Sequence, residues 1–461
     1  MQHRIEKDYL GEVKVPAGAY YGVQTMRAVQ NFPVSGLRLQ KRFIIAQAIV
    51  KKAAALANMA SGRLDEKNGS AIAAACDEII SGKMLDQFVV DVYQAGAGTS
   101  QNMNANEIIA NRAIEILGSE KGNYKIVHPN DHVNMAQSTN DIIHATIHVA
   151  ALQAVAELMP VLGKLQQELE NKSIQFSDIV KSGRTHLMDA VPITLGQEFS
   201  GYASMIKHGI RRISDATESA KELGIGGTAV GTGLNAGTGY AKSAVKEINK
   251  ITGMDFRNAE NMFESMQNTD AILGLSASLR SLAVSLTKIA NDIRLLGSGP
   301  STGLDEISLP AVQPGSSIMP GKVNPVMAEM LNMVCYQVMG NDTTISNATG
   351  AGQLELNVMM PVIAYNILNS IEILTNGVEA FTEKCVHDIL ANEEKCSEYL
   401  EKNPIAVTAL NPYIGYEKAA EVAKRAYREN KTIKQVVIEM GLMPKEKLDE
   451  ILDYRKMTKG E

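Results

Sequence analysis

The chain has 461 residues, a formal net charge of −6 and four cysteines. This length predicts two or three domains, because a single hydrophobic core stops growing at a smaller size. Aromatic residues make up only 5% of the chain and tryptophan is absent, so Ala, Leu, Ile, Val and 22 Met must fill the core. Such a composition favours packed helices over a β-sandwich. The acidic balance, without a run of Lys and Arg, argues against nucleic-acid binding.

The first residues and the cysteines indicate in which cellular compartment the protein is located. The opening segment MQHRIEKDYLGE is charged and has no apolar core of the signal-peptide kind. We find no stretch of about 18 apolar residues and expect no membrane span. No CxxC pair occurs, which argues against a zinc knuckle and a disulfide framework. We therefore expect a cytoplasmic protein whose thiols are reduced.

Long apolar segments in chain order read as helices. Residues 41–60 are Ala-rich and free of Gly and Pro, which predicts one helix. Residues 148–172 predict another, which Pro160 and Gly163 should bend or divide. Residues 353–385 predict a third long helix, and the more charged chain after about residue 392 predicts a small helical appendage.

Residues 270–296 carry the most regular pattern of the chain. Their apolar side chains are spaced alternately by four and three residues: Leu275, Leu279, Leu282, Leu286, Ile289, Ile293 and Leu296. This heptad stripe predicts a helix of about 40 Å that must bury one face against other long helices. The stripe alone fits a bundle within one chain as well as a seam between chains.

Glycine-rich segments at 94–104, 224–239 and 297–325 interrupt the helices and suggest functional loops. The segment GIGGTA at 224–229 fits a dinucleotide-binding pattern only loosely, because no parallel α/β pattern surrounds it. The segment GSSIMPGKV at 315–323 resembles a phosphate loop, but Val323 replaces the hydroxyl residue that would bind magnesium. We reject both assignments.

The segment GSSIMPGKVNP at 315–325 nevertheless concentrates chemistry. Its glycines allow close approach to a ligand. Lys322 can pair with a substrate carboxylate, and Asn324 can donate or accept a hydrogen bond. Taken alone, the segment could equally be a polar surface loop with an exposed lysine.

This segment resembles the signature of the fumarase/aspartase superfamily of lyases. Further stretches resemble other blocks of that family in the same order: GAGTSQNMN at 96–104, NDHVNMAQSTND at 130–141, GRTHLMDAVPITLGQE at 183–198, GGTAVGTGLN at 226–235 and ELNV at 355–358. The similarity runs from Asp8 to about Tyr416. Several ordered blocks are far more specific than any single motif.

The resemblance implies an all-α fold with a central bundle of long helices. It implies an N-terminal helical domain at 1–139, the long-helix bundle at 140–392 and a small C-terminal helical domain at 393–461. Members of the family form homotetramers in which each active site takes residues from three chains. The implied partners are a small dicarboxylate and other copies of the chain, with no cofactor, no metal, no nucleic acid and no membrane.

The resemblance also implies roles for single residues. Ser316 corresponds to the catalytic base, which must be stabilised as an oxyanion by loop amides and nearby charge. Thr99, Ser138 and Thr139 match the hydroxyls that bind one substrate carboxylate, the one next to the carbon that loses its proton. The other carboxylate is matched by Lys322, Asn324 and Thr185. Near the leaving group the matches are Asn140 and His186, with Glu329 pairing His186 and thereby setting its protonation.

Each residue also has an ordinary structural explanation. Ser138 and Thr139 could cap a helix, His186 could be a satisfied structural histidine, and Glu329 could be an exposed helix charge. His144 and His148 are spaced by four residues on a predicted helix, but two histidines without a third ligand are more commonly incidental than metal-binding.

Details within the blocks distinguish two branches of the family. GAGTS at 96–100, Ser138-Thr139-Asn140 and AYYGVQT at 19–25 resemble aspartases, which convert L-aspartate to fumarate and ammonia. HPND, with His128, Asn130 and Asp131, resembles the secondary dicarboxylate site of class II fumarases. We expect an aspartase, with a class II fumarase or a lyase for a related amino dicarboxylate as alternatives. A non-catalytic relative is disfavoured because Ser316, Lys322 and His186 are all present.

Five positions depart from the family pattern: His144 and Ala145 in place of Pro-Thr, Met188 in place of Gln, Ser301 in place of Arg, and Met360 in place of a charged residue. The residues matched to substrate contacts are intact. The surroundings of the site have changed, and a small displacement there can lower activity.

Overall fold

The computed structural model describes residues 2–459, and these are mainly helical. The helices are α1 (Val23–Asn31), α2 (Lys41–Ala60), α3 (Glu66–Ile80), α4 (Thr99–Ile116), α5 (Thr139–Gln175), α6 (Leu195–Ala220), α7 (Tyr240–Thr252), α8 (Met262–Gln267), α9 (Asp270–Leu296), α10 (Val326–Thr349), α11 (Met360–Lys384), α12 (Glu393–Lys402), α13 (Asn411–Ile414), α14 (Tyr416–Glu429), α15 (Ile433–Glu439), α16 (Lys445–Ile451) and α17 (Tyr454–Met457). The all-α class predicted from composition and resemblance is confirmed.

Short strands form four two-stranded sheets in the described chain. They are β1 (His3–Asp8), β2 (Gly11–Pro16), β3 (Val180–Thr185), β4 (Met188–Thr194), β5 (Glu222–Leu223), β6 (Arg257–Asn258), β7 (Ile307–Ser308) and β8 (Leu390–Ala391). The pairs β1–β2, β3–β4 and β7–β8 are antiparallel, whereas β5–β6 is parallel. None of these strands was predicted from sequence, because they are short and lack long alternating apolar runs.

The chain divides into two compact units. The first contains the chain up to Met159, Arg211–Ala283 and Tyr336–Thr375; the second contains Pro160–Ile210, Val284–Cys335 and the chain from Asn376 onward. In the first unit, a buried cluster that includes Ile72, Ile108 and Ile114 joins α2, α3 and α4. In the second, a cluster between Val407 and Leu452 forms the core of the C-terminal helices. The two sequence-based domain boundaries, after residues 139 and 392, remain a prediction.

The long helices follow the sequence patterns closely. Helices α2 and α9 begin and end at the predicted residues, and α11 starts at Met360, later than predicted. Helix α5 is continuous through Pro160, so the division allowed for in the sequence analysis does not occur.

The heptad stripe of α9 is buried within the single chain. Six of its seven members have no exposed surface, and Leu296 is 6% exposed. Packing inside the chain therefore satisfies the stripe, which leaves other surfaces to make any contact between subunits.

The prediction that no segment is apolar enough to span a membrane is wrong by the measures of length and composition. Three helices meet those measures: α2, α5 and α9. In their most apolar windows, 72%, 67% and 50% of the residues are buried inside the structure. Packing within a helical protein accounts for much of this apolar surface.

Candidate active site

In the first unit, the candidate residues lie at the starts of two helices. Thr99 is the first residue of α4, and Thr139 is the first residue of α5. The amide of Asn102, one turn into α4, donates to Thr139 Oγ1 over 3.1 Å and joins the two first turns. Backbone N–H groups at helix starts favour bound anions, so this pair of termini is suited to a carboxylate.

Asn140 and Asp141 tie the start of α5 to the glycine-rich loop at 224–239. Asn140 Nδ2 donates to the Ala229 carbonyl over 2.8 Å. The buried Asp141 carboxylate accepts from the backbone N–H groups of Ser138, Gly226 and Thr228 at 2.9, 3.0 and 3.2 Å. Burial raises the pKa of Asp141 to about 6. These hydrogen bonds hold the glycine-rich loop against the start of α5.

A buried polar cluster behind Thr139 was not found from sequence. The Lys51 side chain in α2 is completely buried, and its Nζ donates to Asn134 Oδ1 and Gln137 Oε1, each over 2.9 Å. Asn134 Oδ1 also accepts from Asn102 and Asn106, each over 3.2 Å. One signal was available: Lys51 falls in the otherwise apolar, Ala-rich run of α2.

In the second unit, the Ser316 loop offers a hydroxyl held by backbone amides. The backbone N–H groups of Ile318 and Met319 donate to Ser316 Oγ over 3.2 and 3.0 Å. These are the loop amides that stabilisation of a serine oxyanion requires. The neighbouring Lys322 side chain is exposed, so its charge is free to meet a ligand.

The base of this loop is closed by short contacts around Gly315. The Gly315 N–H donates to the Lys322 carbonyl, and Asn324 Nδ2 donates to the Gly315 carbonyl, both over 2.7 Å. A Cβ at position 315 would lie 2.5 Å from the Lys322 oxygen, so only glycine fits. The amide nitrogen of Asn324 therefore stabilises the loop conformation, a structural role in addition to the predicted substrate contact.

His186 lies at the tip of the β3–β4 hairpin. Thr185 pairs with Met188, which leaves His186 and Leu187 as a two-residue turn with φ values of +55° and +60°. Two positive φ angles define a type I′ turn, which normally uses Asn and Gly. Backbone strain of this kind clusters at functional sites. In the single chain His186 is exposed, so it is not a satisfied core histidine.

Buried ion pairs hold the base of that hairpin. Lys181 Nζ lies 2.9 Å from Glu198 and 2.8 Å from Glu306, and the Lys181 side chain is 1% exposed. Arg184 donates from one nitrogen to both oxygens of Glu306 at 2.9 and 3.0 Å. A rigid base below an exposed tip fixes where Thr185 and His186 can point.

Two further predictions concern Glu329 and the HPND segment. Glu329 lies in the first turn of α10, and within residues 2–459 of one chain no hydrogen bond or ion pair joins it to His186.

In the HPND segment, His128 Nδ1 accepts from the backbone N–H groups of Asn130 and Asp131 at 3.3 and 3.2 Å and caps the turn that follows. This capping role neither requires nor prevents a dicarboxylate site.

His144 and His148 are buried side by side, with ring centroids 4.3 Å apart. His148 Nδ1 hydrogen-bonds the Ala220 carbonyl over 2.8 Å, and burial lowers its pKa to about 4. Burial also lowers the pKa of His144 well below its usual value. In the described part of the chain, no group of three or more His, Cys, Asp or Glu side chains is placed to hold a metal ion.

The predicted residues thus form two sets, one in each unit. The helix-start set comprises Thr99, Ser138, Thr139 and Asn140. The loop set comprises Thr185, His186, Ser316, Lys322, Asn324 and Glu329. Of the departures, Met188 is exposed beside His186, Met360 is buried at the start of α11, and nothing in the structure explains Ser301.

Comparison with known proteins covers almost the entire chain. A family described as lyase matches residues 11–340, and one described as the fumarase C C-terminus matches residues 407–459. The chain is 51% identical over 455 residues to an aspartate ammonia-lyase from a Bacillus species, covering 99% of this chain and 97% of the relative. It is also 51% identical over 457 residues to a class II fumarate hydratase from Halobacterium salinarum, with the same coverage.

A solved structure gives the same result for the fold. The crystal structure of a fumarate lyase:delta crystallin from Brucella melitensis matches with a TM-score of 0.96 and 47% identity, covering 99% of this chain and 100% of that one. Fold and motifs together define a lyase. The chain belongs to the fumarase/aspartase superfamily, in which both an ammonia-lyase and a hydratase are similar to it.

Proposed function

We propose that this protein is an aspartate ammonia-lyase, which converts L-aspartate reversibly to fumarate and ammonia. The observation that carries the proposal is the Ser316 hydroxyl, which accepts hydrogen bonds from two loop amides at 3.2 and 3.0 Å. A serine needs such donors to act as a base, because its alkoxide is otherwise too unstable near neutral pH.

The reaction would proceed in two steps. The Ser316 oxyanion takes the proton from the carbon next to one carboxylate, and the electron pair of the broken C–H bond moves into that carboxylate. The resulting dianionic aci-carboxylate is stabilised by hydrogen bonds from Thr99, Ser138 and Thr139. The electrons then return to form the carbon–carbon double bond, while the C–N bond breaks and ammonia leaves. Asn140 and His186 lie near the leaving amine in this scheme.

The second carboxylate would be held by Lys322, Asn324 and Thr185. An ammonium group and an amide bind a carboxylate through charge-assisted hydrogen bonds. We propose that the working site is completed in a homotetramer from several chains. Exposed apolar tips at Leu187 (73%) and Ile318 (84%) support burial against another subunit. We place the enzyme in the cytoplasm.

A class II fumarase is the second candidate, favoured by the HPND segment at His128–Asp131 and by relatives of that activity. The aspartase choice is supported by GAGTS at 96–100 and by Ser138-Thr139-Asn140. The changed residues at 144, 145, 188, 301 and 360 leave room for a related amino dicarboxylate as substrate.

The deciding experiment measures fumarate by its ultraviolet absorbance with L-aspartate and L-malate offered separately. We expect fumarate from L-aspartate, with release of one ammonia per fumarate. Fumarate from L-malate alone would replace the proposal with the hydratase. Product from neither substrate would refute both and direct the search to other amino dicarboxylates.

A further inference from the structure

We propose that Lys51 is a positioning residue for the reaction proposed above. Its buried ammonium group orients Thr139 through Asn134 and Asn102, and it supplies positive charge behind the position where a substrate carboxylate would bind. This inference rests on the proposed function, although one of its two tests does not require turnover.

Three successive hydrogen bonds connect the two residues. Lys51 Nζ donates to Asn134 Oδ1 over 2.9 Å, Asn102 Nδ2 donates to the same oxygen over 3.2 Å, and Asn102 Nδ2 also donates to Thr139 Oγ1 over 3.1 Å. Because Thr139 Oγ1 accepts from Asn102, its own proton is directed away from the cluster. That hydroxyl is therefore prepared to donate to a carboxylate oxygen.

Packing alone does not explain a lysine at this place. The side chain is completely buried, and taking an ammonium group out of water is costly, so an apolar residue of equal volume would suit a purely structural role better. Lys51 makes no ion pair within 4.0 Å in the described chain; amide oxygens satisfy it instead. A buried charge without a directly paired counter-charge exerts a strong field on neighbouring anions.

The titratable groups facing Lys51 are Asp141 and Cys76. Burial raises the pKa of Cys76 to about 12, so the thiol stays neutral, and the Asp141 carboxylate already accepts three backbone N–H groups. Burial lowers the pKa of Lys51 to about 7. Lys51 therefore exchanges its proton near neutral pH, and a dianion bound in front of Thr139 would raise its pKa.

The size of the effect follows from distance. The chain of bonds places Lys51 Nζ within roughly 9 Å of Thr139 Oγ1, and a carboxylate lies slightly farther away. The aci-carboxylate carries one more negative charge than the ground state. At an effective dielectric constant of about 20, losing the ammonium charge should lower kcat about 10-fold.

The test compares Lys51→Met with Lys52→Met in the assembled enzyme. Methionine keeps the length of the side chain and removes its charge. Lys52, the next residue, pairs with Asp77 at 2.6 Å and takes no part in the cluster. In the native enzyme we expect kcat/KM to fall above about pH 7, as Lys51 loses its proton. Lys51→Met should lower kcat about 10-fold and should no longer show this fall. Lys52→Met should keep both native values.

A second measurement needs no turnover. Binding of succinate, a non-reacting dicarboxylate, is followed by calorimetry at pH 8 in two buffers of different ionisation enthalpy. We expect proton uptake on binding, because the dianion raises the pKa of a neutral Lys51. In Lys51→Met the uptake should fall to near zero, and succinate affinity should no longer change between pH 6.5 and 8.

The outcomes separate the two proposals. Lys51→Met with native kcat and a native pH profile, or native enzyme that binds succinate without proton uptake, would overturn the role of Lys51. A Lys51→Met enzyme that loses activity but keeps the native pH profile shows a merely structural role and also overturns it. Absence of fumarate from both substrates would refute only the proposed function, since succinate binding still reports on Lys51.

Discussion

The helix-start set of the first unit and the loop set of the second unit are built in different ways. Thr139 and Asn140 lie on a 37-residue helix, and a buried network of Asn and Lys side chains supports them from behind. His186 and Ser316 lie on a tight turn and a glycine-flanked loop, whose neighbours Leu187 and Ile318 are 73% and 84% exposed. The groups proposed to stabilise the aci-carboxylate are thus fixed by the core, whereas the proposed base and His186 are carried by short loops. Changes in the first set and its buried support should therefore disturb stability as well as activity, whereas changes at Ser316 and Lys322 should disturb activity alone.

The largest effect is expected in the loop set. Ser316→Ala removes the proposed base and should lower kcat by about 10³-fold or more, while the melting temperature stays within about 2 °C of native. Fumarate formation and thermal unfolding, measured on the same preparation, test this. The control is Ser317→Ala, which removes the adjacent exposed hydroxyl and should remain active. Native activity in Ser316→Ala would exclude it as the base.

The next effect should be one of stability and should fall in the buried network behind the helix-start set. Asn134→Leu removes the oxygen that accepts from Lys51, Asn102 and Asn106, leaving buried donors with fewer partners. We expect a loss of about 3 kcal/mol in the free energy of unfolding. Urea unfolding measures it, and Asn123→Ala on the exposed surface should change it by less than about 0.5 kcal/mol. Equal stability of the two variants would remove the proposed difference between the sets.

A smaller effect is expected for the exposed cation of the Ser316 loop. Lys322→Met removes the charge-assisted contact to one carboxylate and should raise KM between about 10- and 100-fold. Stability should be unchanged, because Lys322 makes no ion pair in the described chain. Steady-state kinetics at several substrate concentrations separate KM from kcat. If Lys322→Met instead unfolds at lower temperature with an unaltered KM, the residue supports the fold and not the substrate.

The smallest effect concerns acid stability in the first unit. The pKa of His148 is lowered to about 4, below the unfolded value near 6.5, so the unfolded chain binds more protons between these values. Stability is therefore lost as the pH falls from about 6.5 towards 4. We expect His148→Gln to reduce the stability lost between pH 8 and pH 5.5 by about 1.4 kcal/mol. The same decline with pH in both proteins would show that His148 is not responsible.

Much of the helical framework could be predicted because it repeats one simple pattern. The limits of α2 and α9 follow from uninterrupted apolar periodicity, and the family blocks locate Ser316, Lys322 and Thr139. Pro160 misled the sequence interpretation, since the local penalty of a proline is outweighed by the packing of the long helix around it.

What could not be predicted depends on contacts between residues distant in sequence. Lys51 is separated from Asn134 by 83 residues, so periodicity cannot reveal that they meet. The Glu306 carboxylate below the hairpin is likewise 122 residues from Arg184. The β3–β4 turn escaped notice because His-Leu lacks the Asn-Gly pattern that normally marks a type I′ turn.

That turn has a consequence for protein engineering. Leu187 occupies a left-handed conformation at φ +60°, which β-branched residues such as valine and isoleucine tolerate poorly. A library at this position should enrich glycine and asparagine when selected for thermal resistance, and it should deplete valine and isoleucine under any selection.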